Sequence, residues 1–129
     1  VYCVSATVLM AVNKPLSGPW CVPYEDAYQR YRELFDEYQQ TRSDPERAEA
    51  WKARFTPREQ YDVLRRYEQT RTARLCAWLR RNRPEPDAMI DYSIHVYDLS
   101  AEDLTAALQG QPPEPFLEQP QVHDGPASE

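Results

Sequence analysis

Five aromatic residues set the first constraint on this chain. Tyr24, Tyr28, Tyr31, Phe35 and Tyr38 follow one another at spacings of 4, 3, 4 and 3 residues. That repeat puts all five on one face of a helix over residues 24–40. Glu25 and Asp26 fall in its first turn, where the helix dipole favours acids. An aromatic face of this size must be covered. A matching face recurs downstream, where Tyr61, Leu64, Tyr67, Leu75, Trp78 and Leu79 fall within about 120° of one another. Two such faces pack most simply as an antiparallel helix pair. The buried tyrosine hydroxyls then need partners.

Local signals mark where helices start. Thr56-Pro57-Arg58-Glu59 is a capping box with proline at the first helical position. The helix it opens runs to Asn82, and Pro84 and Pro86 stop it. Ser43-Asp44-Pro45 opens a shorter helix over residues 45–54. Ser100 and Asp103 form a second box, and Gly110 closes that helix. Two segments alternate as strands do. In residues 2–12, Tyr2, Val4, Ala6, Val8, Met10 and Val12 line one face. In residues 89–98, Ile90, Tyr92, Ile94 and Val96 line one face, and Asp91, Ser93, His95 and Tyr97 form a polar outer one.

From Gln111 onward, five prolines in nineteen residues predict a disordered acidic tail. The expected fold is α+β and mostly helical. An antiparallel helix pair packs with a two-stranded β element in a single domain over residues 1–110, and residues 111–129 form the Pro-rich acidic tail. Two strands leave edges exposed. Pairing with a second copy would cover one, so a homodimer is expected.

Several function classes are excluded. The three glycines, Gly18, Gly110 and Gly125, lie too far apart for a dinucleotide fingerprint or a P-loop. Three cysteines lack any C-x-x-C spacing and there are two histidines, so neither a metal nor a cofactor is expected. No apolar run reaches the roughly 18 residues of a membrane helix. Residues 1–12 have the length of a signal-peptide core, yet no basic residue precedes them, so they are not read as one. The odd cysteine count points to a reducing, cytoplasmic setting.

Charge is divided along the chain. All 15 basic residues lie in residues 1–83 beside 11 acids, a net of +4. Residues 84–129 hold ten acids and no base, a net of −10. The leading expectation is therefore a non-catalytic protein-binding or regulatory module, acting on an unidentified protein partner through the Arg-bearing helix and the acidic C-terminal segment. The alternative is a nucleic-acid binder in which Arg58, Arg65, Arg66, Arg80 and Arg83 of the helix over residues 57–83 contact phosphates.

Phe55-Thr56-Pro57-Arg58-Glu59, followed by Val63-Leu64-Arg65, resembles the first helix of the helix-turn-helix in LuxR-type regulators. That resemblance implies a recognition helix over residues 71–83, with Arg74, Arg80, Arg81 and Arg83 facing DNA. It requires a break near Glu68–Thr70, whereas no glycine marks a turn there. The helix is thus either continuous or broken at that point.

A third reading is a small enzyme using His95 and Arg71. Asp91, Ser93, His95 and Tyr97 are residue types of a nucleophile–base set, but strand neighbours two apart sit about 6.6–6.8 Å from each other. A nucleophile and its base need about 2.6–3.2 Å, so no enzyme is expected. Arg71 falls inside the apolar arc of the long helix and must find a carboxylate, with Glu68 the local candidate.

Overall fold

A computed structural model describes residues 1–10, 16 and 19–113. The predicted tail beyond residue 113 lies outside the described residues, as do residues 11 and 12 of the first predicted strand.

The elements run β1 (Tyr2–Ser5), α1 (Ala6–Leu9), α2 (Val22–Thr41), α3 (Pro45–Ala53), α4 (Pro57–Asn82), β2 (Ala88–Ile90), β3 (Ile94–Tyr97) and α5 (Ala101–Gln109). The fold is mostly helical α+β. The helix starts follow their caps. The Asp44 carboxylate accepts from the Glu46 and Arg47 amides at the start of α3. Thr56 and Glu59 close a reciprocal box on α4, and Ser100 and Asp103 do the same on α5. The long helix α4 is continuous through Glu68–Thr70. No helix-turn-helix exists here, because residues 67–73 propagate the helix without a breaker.

The first predicted strand is corrected. It ends at Ser5, whose hydroxyl accepts the Val8 amide and caps the single-turn helix α1. The second is also corrected, since residues 88–97 form a hairpin. Asp91 and Tyr92 both take positive φ, 48° and 58°, the φ pattern of a type I′ turn. The Ser93 amide then donates to the Ile90 carbonyl at 3.2 Å. The sheet accordingly has three antiparallel strands in the order β1-β3-β2, where two were expected.

Helices α2 and α4 form the expected antiparallel pair. Tyr67 stacks on Phe35 with ring centroids 4.4 Å apart, and Glu25 near the start of α2 meets Arg74 in the last third of α4. The far half of α4 is enclosed on several sides. Ala77 packs with Trp20 and Tyr28, while Leu75, Cys76 and Leu79 pack with Leu9, Tyr97, Leu99 and Ala107. On the near half Val63 is buried, but Tyr61 is 65% and Leu64 40% exposed. The apolar arc read from the sequence is therefore core only toward its C-terminal end. α3 closes the other end of α2, where Trp51 lies between Tyr38 and Phe55 with both centroids 4.9 Å away.

Candidate interaction surface

The buried cation of α4 is Arg74, not Arg71. Arg74 is 0% exposed and Arg71 is only half-buried. Nε and Nη2 of Arg74 donate to Oε2 and Oε1 of Glu25 at 2.9 and 3.1 Å. Its remaining donors go to the Ala107 carbonyl and, at 2.9 Å, to the Gly110 carbonyl. The guanidinium also lies 5.2 Å from the Tyr28 ring centroid, and the Tyr28 hydroxyl donates to the Leu108 carbonyl at 2.8 Å. Arg74 and Tyr28 thus satisfy carbonyls at the C-terminal end of α5, where the helix dipole is negative. Glu25 also accepts from Trp20 Nε1 at 2.7 Å and Gln29 Nε2 at 3.0 Å. Burial pushes the Glu25 pKa up, but the bonds from Arg74, Gln29 and Trp20 and the Arg74 charge outweigh it and hold the pKa below the ordinary value. Each nitrogen of Arg74's fork donates to a protein acceptor. This constellation is a staple joining α2, α4 and α5, and it removes Arg74 from any DNA-facing role.

The other arginines divide between scaffold and surface. Arg80 donates to the Leu9 carbonyl at 2.7 Å, capping α1. Arg83 bonds both oxygens of Asp87 at 3.0 and 2.8 Å and reaches Asp103 at 3.6 Å. Asp87 in turn accepts the Asp98 amide at 2.7 Å. That backbone bond, helped by the Arg83 charge and hydrogen bond, draws the Asp87 pKa down against the opposing effect of desolvation. Arg65 pairs with Asp62 at 3.6 Å, and Arg58 and Arg66 are exposed. Acids interleave with these last three along the helix.

The catalytic candidates are not brought together. His95 lies beside Tyr97, with Tyr97 Oη 3.5 Å from Nδ1. Among the described residues, no hydrogen bond or ion pair joins His95 to Arg71. Asp91 and Ser93 sit in the turn before β3 and share no strand face with His95. Nor is the Tyr97 face an outer one. Tyr97 is 1% exposed in the core, and burial raises its hydroxyl pKa.

That inversion exposes the opposite face of the sheet. Residues paired across an antiparallel ladder share a face. Tyr2 pairs with Tyr97, and the row Val4–His95–Met89 lies on the same side, toward the core. The alternate rows, Cys3–Val96–Ala88 and Ser5–Ile94–Ile90, therefore point outward. This outer face is apolar except for Ser5. None of its residues packs into the buried clusters, and Ile90 is 49% exposed. At the hairpin tip Tyr92 is 93% exposed while held at positive φ. The sequence carries this signal in Ile90, Ile94 and Val96, although period-2 reasoning assigned their face to the interior.

A shallow groove of about 340 Å³ lies between α2 and α3, lined by Glu37, Gln40, Thr41, Arg47, Ala50, Trp51 and Arg54. Arg54 is committed to Glu37 at 3.1 Å and the Thr41 hydroxyl to the Tyr38 carbonyl at 2.8 Å. Trp51 Nε1 is buried without a hydrogen-bond acceptor. Among the described residues, no cluster of three or more His, Cys, Asp or Glu could hold a metal ion, and no helix is long and apolar enough to cross a membrane.

Comparison of the chain with protein families, with curated proteins and with solved structures finds no match.

Proposed function

We propose that this chain is a protein-binding module whose contact surface is the outer sheet face and the tip of the β2–β3 hairpin. The observation that carries this is an apolar outer face on which Ala88 and Ile90 are exposed and Ile94 and Val96 half-buried, beside a fully displayed Tyr92. Apolar sheet faces are ordinarily covered, and an uncovered one marks a contact site. Tyrosine is among the residues that dominate interface energies. Holding one at positive φ costs about 1 kcal/mol or more, a strain typical of functional positions. The Arg-bearing helix contributes only its exposed arginines, Arg58, Arg65, Arg66 and Arg81, since Arg74, Arg80 and Arg83 are spent on the scaffold.

The test is selection of a displayed random-peptide library on the wild-type chain, counter-screened on an Ile90→Ser/Tyr92→Ser variant. Enriched peptides are expected to bind the wild type at least about tenfold tighter, the loss of two anchors worth about 1 kcal/mol each. Enrichment only of peptides that bind both chains equally would sink the assignment.

A further inference from the structure

We infer that the occupant of the β2 edge is an extended, basic segment of another protein, added as a fourth strand. This deepens the binding role proposed above and rests on it. Among the described residues, in the order β1-β3-β2, both outer strands are edges. β1 is mostly half-buried, whereas all three residues of β2, Ala88, Met89 and Ile90, are exposed. An edge strand presents a row of unpaired backbone donors and acceptors, and proteins usually blunt it with lysine, proline or an inward charge. β2 is short, at three residues, but carries none of these. A strand that docks here would gain backbone hydrogen bonds and extend the outer apolar face beyond Ile90.

Charge selects the occupant. The edge is flanked by Asp87 on one side and Asp91 on the other, both exposed. Residues 84–103 hold six acids and no base. Arg83 pairs with Asp87 and Asp103, so Asp91 carries most of the unbalanced charge beside the edge. A second copy fits poorly. Antiparallel pairing of two β2 strands about a two-fold axis at Met89 would set Asp87 opposite Asp91 of the second copy, twice over. Like charges directly opposite each other destabilise a ladder. A strand with lysine or arginine at both ends and β-branched residues between meets Asp91 with an opposite charge and sets no acid against Asp87.

The experiment uses the full chain and three labelled synthetic peptides of the pattern Lys-Val-Thr-Val-Lys. One is unmodified, one carries glutamate for both lysines, and one is N-methylated at the central amide. Fluorescence anisotropy at about 50 mM salt, where screening is weak, is expected to show at least tenfold weaker binding of the glutamate peptide. The N-methylated peptide is expected to bind about fivefold more weakly, as it lacks one backbone donor. Ile90→Ser is expected to weaken the unmodified peptide, and the tenfold ratio is expected to shrink at 200 mM salt. Equal binding of the N-methylated peptide would exclude strand addition while leaving a side-chain contact on the sheet face. Equal binding of the lysine and glutamate peptides would overturn the choice of a basic partner. A chain that dimerises in sedimentation velocity, and loses the dimer on Ile90→Ser, would make a second copy the occupant. If no peptide binds while library selection yields hairpin-dependent binders, strand addition fails and the binding role stands. If both are blank, both fall.

Discussion

The Arg74 guanidinium grips both carboxylate oxygens of Glu25, 49 residues away in sequence, from a position with no solvent exposure. Such a pair is costly to leave half-made. Glu25→Gln and Arg74→Met are each expected to lower unfolding stability by about 3–5 kcal/mol, because each strands a buried partner. The double variant Glu25→Gln/Arg74→Met is expected to lose less than the sum. Urea denaturation of the four chains measures this coupling directly. Additive losses would show that the pair is not a unit.

The same carboxylate gives stability an acid limb. Its folded pKa lies below the ordinary 4.5, so the unfolded chain binds the extra proton. The contribution is fully present above about pH 4.5 and is lost as pH falls through the lower folded value. Glu25→Gln is expected to flatten the slope of stability against pH below about 4.5, while other acids keep theirs. An unchanged slope would place the acid sensitivity elsewhere.

At the hairpin tip, stability and binding are expected to oppose each other. Asp91→Asn/Tyr92→Gly installs the pair that type I′ turns favour. Relief of positive φ at Tyr92 is expected to raise stability by about 1 kcal/mol, some 4 °C in melting temperature. The same variant is expected to lose hairpin-dependent peptides. Differential scanning calorimetry and anisotropy on one sample read both effects, and a chain that gains stability without losing binding would remove Tyr92 from the contact surface.

Gly110 closes α5, and a Cβ built on it would fall 2.5 Å from the Ala106 carbonyl oxygen. Backbone must move to admit it. Gly110→Ala is expected to cost about 1–3 kcal/mol, the usual range for forced overpacking. Part of that cost is expected to vanish in an Arg74→Met background, because the Gly110 carbonyl is one of Arg74's acceptors. Equal costs in both backgrounds would mean that the carbonyl bond carries no weight.

The helices were legible because their boundaries are local chemistry. Asp44, Thr56 and Ser100 cap the helices that they were expected to cap, and the Tyr28–Tyr67–Phe35 stack is the aromatic face covered as its spacing demanded. The failures come from tertiary context. Val4, Val8 and Leu9 suit a strand or a helical turn equally well, and the Ser5 cap decided between them. The β2–β3 hairpin escaped notice because Asp91-Tyr92 lacks the glycine that announces such a turn. Arg71 was favoured over Arg74 because a single apolar arc was assumed for α4. The helix is in fact clasped by α2 on one side and by α1 and α5 on others, which moves the buried sector onto Arg74. The uncovered sheet face depended on the hairpin and was hidden with it.

The Arg74 cluster also bears on how the chain acquires its shape. Its acceptors come from α2 and from the end of α5, while the cation comes from α4. Until all three segments meet, the guanidinium is better left in water, so a half-assembled chain has no comfortable place for it. Partly ordered species are thereby penalised as a class. The clusters on either side of α4, one around Trp20 and the other around Leu79, are therefore expected to unfold together, joined by one side chain that neither could dehydrate alone.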